Sequence, residues 1–186
     1  MSALARTQLQ VETFVDGALV KTPGIEIAQY QTWFSRWISD LDLDLSPLRA
    51  YEVSLRLTTD AEIERINTDY RHQAKPTDVL SFAALETNLP GAVEVARQHP
   101  LYLGDIIISV ETAQRQARDR DHSLVQEVAW LAAHGLLHLL GWDHPDEQSL
   151  IEMLERQDRL LALVDYHPLN KLPDGLSNEV NKSIQV

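Results

Sequence analysis

Apolar and polar positions along the chain follow two periods, one of two residues and one close to 3.6, and the switches between them mark out the elements. Val11 to Val15 alternates and is rich in β-formers, which predicts a first strand ended by a turn at Asp16-Gly17. After Pro23-Gly24, the apolar residues Ile27, Tyr30, Phe34, Trp37 and Ile38 recur at helical spacing and predict an amphipathic helix packed on a sheet. Tyr51 to Leu57 alternates strictly, as a half-buried strand does. Thr59-Asp60-Ala61-Glu62 has the form of a capping box, in which Thr59 caps the first amides and Glu62 reaches back. It opens a helix expected to run to about Tyr70.

Beyond the polar stretch Arg71 to Thr77, Asp78 to Phe82 and Leu103 to Ser109 predict the third and fourth strands, the fourth apolar enough to be central. Between them, Glu86 to Pro100 contains Pro90-Gly91 and His99-Pro100 and reads as a long surface loop. Three further helices are expected at about Glu111 to Arg118, Ser123 to Leu140 and Glu147 to Val164. Ser123-Leu124-Val125-Gln126 is a second capping-box pattern, and Leu150, Met153, Leu154, Leu160, Leu161 and Val164 give the last helix its apolar face. From His167 the periodicity stops, so residues 167–186 are expected to form a poorly ordered tail. Residues 1–166 then make one α/β (α+β) domain, a small mixed four-stranded β-sheet packed with about five helices.

The length of 186 residues fits that single core, and 44% apolar with 24% charged residues excludes disordered, collagen-like and coiled-coil classes. No apolar run reaches membrane-spanning length and the first residues carry no apolar signal segment, so a cytoplasmic protein without membrane contact is expected. With no cysteine, disulfides, thiolate metal sites and thiol nucleophiles all drop out, and soft-metal chemistry falls to histidine. A net charge of −12 argues against coating nucleic acid by bulk electrostatics, but leaves room for a local basic groove.

Three of the seven histidines lie in His134-Gly135-Leu136-Leu137-His138-Leu139-Leu140-Gly141-Trp142-Asp143-His144. On a helix His134 and His138 share a face, Gly141 supplies the left-handed residue that ends it, and the returning chain can bring His144 to the same point. Three neutral imidazoles suit Zn²⁺, one ion per chain, with a fourth position for water. Isolated histidines are more often core residues with ordinary hydrogen bonds. Here the surrounding Val128-Ala129-Trp130-Leu131-Ala132-Ala133 offers few polar partners, which favours a metal. The spacing also fits the zincin pattern H-E-x-x-H-x-x-G-x-x-H, except that Gly135 stands where those peptidases carry their general base. Peptidase chemistry is disfavoured on that ground.

The histidine motif, together with Tyr70-Arg71, Lys75-Pro76-Thr77-Asp78-Val79-Leu80-Ser81-Phe82 and Leu103-Gly104-Asp105-Ile106-Ile107-Ile108-Ser109, resembles the YbeY-type rRNA maturation endoribonucleases over about Val11 to Val164. The resemblance implies a single-strand-specific endoribonuclease acting in 16S rRNA 3′-end processing and ribosome quality control. It implies His134, His138 and His144 as zinc ligands, with Arg71 and His138 as the catalytic residues. Implied partners are rRNA, the small ribosomal subunit and a ribosome-associated GTPase; the oligomeric state is left open. Against the family pattern, the 86–100 loop is long and the tail is an extension.

Read for its own chemistry, Arg71 offers a permanently charged fork of donors suited to phosphoryl oxygens, and Lys75 can assist. Asp105 and Ser81 fit structural roles better, and Asp143 fits either a turn or an acceptor beside a ligand. The nucleophile can be an activated water or the ribose 2′-hydroxyl. No carboxylate base adjoins the ligands, so slow turnover is expected. The rival reading is a non-catalytic assembly factor with structural zinc that binds rRNA or a small-subunit protein, with His122, His167 or Asp143 as a fourth ligand.

Overall fold

The structure, a computed structural model, describes residues 10–16, 22, 24–86 and 97–166. Its elements are β1 (Gln10–Asp16), α1 (Ile27–Leu41), β2 (Ala50–Thr58), α2 (Asp60–Arg71), β3 (Val79–Ala83), β4 (Leu101–Ser109), α3 (Val110–Asp119), α4 (Leu124–Leu139) and α5 (Glu147–Ala162). The sheet order is β1-β2-β4-β3, with β1 and β4 parallel to β2 and β3 antiparallel to β4. The predicted single α+β domain with a mixed four-stranded sheet and five helices is what these residues form. A short 3₁₀ turn at Ala84–Glu86 follows β3. Residues 87–96 of the predicted surface loop and the whole tail from His167 lie outside the described residues, as does the turn at Gly17.

The two faces of the sheet are covered unequally. On one face Ile63 and Ile66 of α2 pack with Leu80 and Ile107 in a small cluster. The other face carries the main core, to which α1, α3, α4 and α5 all contribute, and α4 runs through its middle. Every residue of α4 from Glu127 to Leu139 is buried, which is why its apolar character runs round the whole helix rather than along one stripe. Gly135 permits that depth. A Cβ there would stand 2.8 Å from Ile106 Cγ2 and 3.1 Å from Ser81 Oγ, so glycine lets α4 lie directly on β4 and β3. Across the core, Trp37 Nε1 of α1 donates to the Leu160 carbonyl of α5 at 2.8 Å.

Two local expectations are corrected. Thr59 Oγ1 does accept from the Glu62 amide, but the Glu62 carboxylate is held by Arg56 and Arg65 rather than reaching back. Nearby cations outcompete one amide for a carboxylate. Arg71, placed by sequence in a polar loop, is instead the last residue of α2. His72 adopts φ +58° and closes the helix with its N–H on the Thr68 carbonyl, carrying the last turn past Tyr70.

Candidate metal centre

The histidine motif spans the end of α4, the turn after it and the approach to α5, and both flanks of the turn are held by caps. Gly141 takes φ +86°, its N–H bonds the His138 carbonyl at 2.9 Å, and the Trp142 N–H bonds the Leu137 carbonyl at 3.1 Å. That pair of bonds is a Schellman motif, which stops the helix and reverses the chain. Four residues later Asp146 opens α5 with a capping box shared with Ser149. His144 sits between these two fixed points, its amide donating to Asp143 Oδ1 at 2.8 Å. Asp143 therefore serves the turn.

The rings of His134, His138 and His144 converge as the spacing predicts. Centroids are 4.6 Å apart for His134 and His138, 5.4 Å for His138 and His144, and 5.7 Å for His134 and His144. One nitrogen from each ring lies within 4.8 Å of the other two, and all three residues are buried. Burial pushes His134 down to about 3, helped by the charge His138 would carry. Burial likewise pushes His138 down to about 4, with contributions from His144 and from the Arg71 guanidinium. Both rings are neutral at pH 7, each with one lone pair to offer.

Hydrogen bonds outside the cluster decide where those lone pairs point. His134 Nδ1 meets Gln157 Oε1 at 3.0 Å, leaving Nε2 for the cluster. The His138 ring hydrogen-bonds the Trp142 backbone, and since its Nε2 faces His134, Nδ1 is the atom left to donate. The two Nε2 atoms, each on a ring whose proton is placed elsewhere, then face one another at 2.9 Å. His144 Nε2 is buried with no partner at all. Three inward nitrogens lacking donors are costly in a protein interior unless a cation satisfies them, so the donor set fits a late first-row divalent metal.

Arg71 is half-buried at the C-terminal end of α2, where burial lowers its guanidinium somewhat from its ordinary value, and its charge reaches the His138 ring. The structure thus brings Arg71 into electrostatic range of the cluster. Other candidates stay away from it. His122 is turned to Glu127 at the opposite end of α4, and the exposed Lys75 is held through its backbone, its carbonyl accepting from Asn67 and its amide donating to the Gln73 carbonyl. Asp105 pairs with Phe82 across the sheet, and Ser81 sits behind Gly135. Gly135 faces the strands, so a carboxylate at that position would be driven into the sheet rather than toward the metal centre.

Two participants escape the sequence reading. Gln157 is fully buried and links His134 to the Trp130 carbonyl; its signal was a polar residue at a core position of the α5 stripe. Trp130 stacks on His134 with the ring planes 3° apart and centroids at 5.4 Å.

The family model described as Endoribonuclease YbeY matches residues 19–165. The chain belongs to the YbeY family. Among its relatives, the Endoribonuclease YbeY of Picosynechococcus sp. is 55% identical over 161 residues, covering 86% of this chain and 98% of that one. The Endoribonuclease YbeY of Nostoc sp. is 60% identical over 137 residues, 74% of each chain. That of Synechocystis sp. is 48% identical over 164 residues, 87% of this chain and 92% of its own. A solution structure of a Thermotoga maritima protein shares the fold of this YbeY family chain, with a TM-score of 0.52 and 21% identity, covering 83% of this chain and 89% of that one. Among the described residues, no helix is long and apolar enough to cross a membrane.

Proposed function

We propose that the chain is a zinc-dependent endoribonuclease that cuts single-stranded RNA during rRNA maturation, at the 3′ end of 16S rRNA, and that it serves ribosome quality control in the cytoplasm. The observation that carries this reading is the buried convergence of His134, His138 and His144, which no fourth His, Cys, Asp or Glu joins among the described residues. Structural zinc is usually closed by four protein ligands, whereas catalytic zinc keeps a position open for water or substrate. A three-ligand set therefore favours catalysis over a structural zinc in a non-catalytic assembly factor. The relatives named Endoribonuclease YbeY support the choice of RNA as substrate.

Zinc, one ion per chain held by the three imidazoles, supplies Lewis acidity toward a phosphoryl oxygen and toward its nucleophile. Arg71 contributes a fixed positive charge and a fork of N–H donors for the negative charge that grows on the phosphoryl group. His138 is the ligand whose ring feels that guanidinium, so it joins the two parts of the centre. The catalytic domain is assigned to residues 1–166. Partners are rRNA, the small ribosomal subunit and a ribosome-associated GTPase. Incubating zinc-loaded wild type and His138→Ala with structured and single-stranded RNA tests the reading. The expected result is cleavage of single-stranded RNA by wild type alone; equal cleavage by both proteins contradicts it.

A further inference from the structure

His134 lies deepest of the three histidines and, among the described residues, hydrogen-bonds one polar group outside the cluster, Gln157. That glutamine is fully buried in the apolar face of α5, among Met153, Leu154, Leu160 and Leu161. A buried amide takes the orientation its partners demand. The Trp130 carbonyl can only accept, so the amide end 3.1 Å from it is the NH₂ group, and Oε1 is the end turned to His134 at 3.0 Å. Because Oε1 can only accept, His134 Nδ1 must donate. A neutral imidazole has a single N–H, so Nε2 of His134 is left as a bare lone pair, and Nε2 is the atom that faces His138.

The alternative tautomer would have a different outcome. With its proton on Nε2, His134 would donate across the 2.9 Å gap to His138 Nε2, and the two rings would satisfy one another. The cluster would then be closed to a cation. We propose that Gln157 is a positioning residue that holds His134 in the Nδ1–H tautomer and so keeps its Nε2 available to the metal. This rests on the reading of the cluster as a metal centre. The parallel Trp130 ring fixes the plane of the imidazole but not its proton, so stacking alone does not do the same work.

The test uses the full chain and two variants. Gln157→Leu keeps the volume and removes both hydrogen bonds, while Gln157→Glu keeps the acceptor for His134 and loses the donor to Trp130. Zinc affinity is read by chelator competition, and the His134 tautomer by ¹⁵N spectra of the imidazole nitrogens before and after chelation. Loss of such an outer partner typically weakens metal binding about 10–100-fold. We expect that loss in Gln157→Leu, together with the appearance of the Nε2–H form in the chelated protein, and recovery of both affinity and Nδ1–H form in Gln157→Glu.

A merely structural glutamine would behave otherwise, since a buried carboxylate would then be the worse replacement and neither variant would move the tautomer. Wild-type affinity and tautomer in Gln157→Leu, or weaker zinc binding by Gln157→Glu than by Gln157→Leu, would overturn the proposal. If Gln157→Leu does not fold, Gln157→Met takes its place with the same expectations. A wild type that takes up no zinc would defeat the metal reading instead, and the tautomer comparison would still decide the role of Gln157.

Discussion

The two ends of α4 each bury a polar cluster, and they are built on opposite plans. At the N-terminal end Glu127, fully buried, accepts from Arg120 Nη1 at 2.7 Å and from His122 Nε2. Charge meets charge there, and one nitrogen, His122 Nδ1, is left over. At the C-terminal end His134, His138 and His144 are all bases, two of them forced neutral by burial, and their inward nitrogens face one another without a donor among them. Trp130 lies between the clusters, with the Arg120 guanidinium 5.2 Å from its ring centroid and His134 stacked parallel to it. The contrast separates a cluster built round a matched ion pair from one whose inward nitrogens have no donor among them. Only the second has the form of a binding site.

The largest expected effect from the self-contained end is on stability. Glu127→Ala takes the acceptor from the more exposed Arg120 and from the buried His122 ring, and a buried donor left without its partner costs about 1–3 kcal/mol. Denaturant melts should show that loss, while the fraction that stays folded keeps its zinc. A variant with normal stability and no zinc would mean that the two ends are one site.

Arg71→Ala should act in the other direction, on rate with little effect on fold or zinc content. Removing a donor that stabilises charge in the transition state costs about a hundredfold or more in rate. Arg71→Lys, which keeps the charge but not the fork, should recover RNA affinity better than single-turnover rate. Equal small losses of rate and affinity in both variants would move Arg71 to a binding role.

Much of this comparison was legible in the sequence where a local rule governs it. The His134, His138 and His144 spacing, the Gly141 stop and the alternation of the four strands depend on helix and strand periods, and all four strands and five helices form where those periods fall. What could not be read depends on how one element folds against another. Gln157 reaches His134 across 23 residues of chain, and Glu127 gains Arg120 and His122 only because the turn between α3 and α4 folds back. Arg71 falls one residue inside α2 rather than just beyond it, because the left-handed His72 that closes the helix is not a glycine and carries no signal. Glu62 was assigned to its local amide because Arg56 lies on a strand that local reasoning does not bring alongside it.

Gly135 gives a smaller and sharper test. Gly135→Ala places a methyl 2.8 Å from Ile106 Cγ2, and overpacking of this kind costs about 1–3 kcal/mol. Gly135→Glu restores the zincin signature in sequence, yet its side chain would enter the sheet, so thermal melts should show larger destabilisation and peptide substrates no hydrolysis. Peptidase activity in that variant would mean that residue 135 faces the histidines after all.

The metal content of the purified full chain tests the central claim most directly. Elemental analysis of wild type beside the triple variant His134→Ala, His138→Ala, His144→Ala should find about one zinc per wild-type chain and almost none in the variant, with wild type melting at higher temperature before chelation than after it. The same zinc content in both proteins would contradict the account, because the ion would then be held somewhere other than the three histidines.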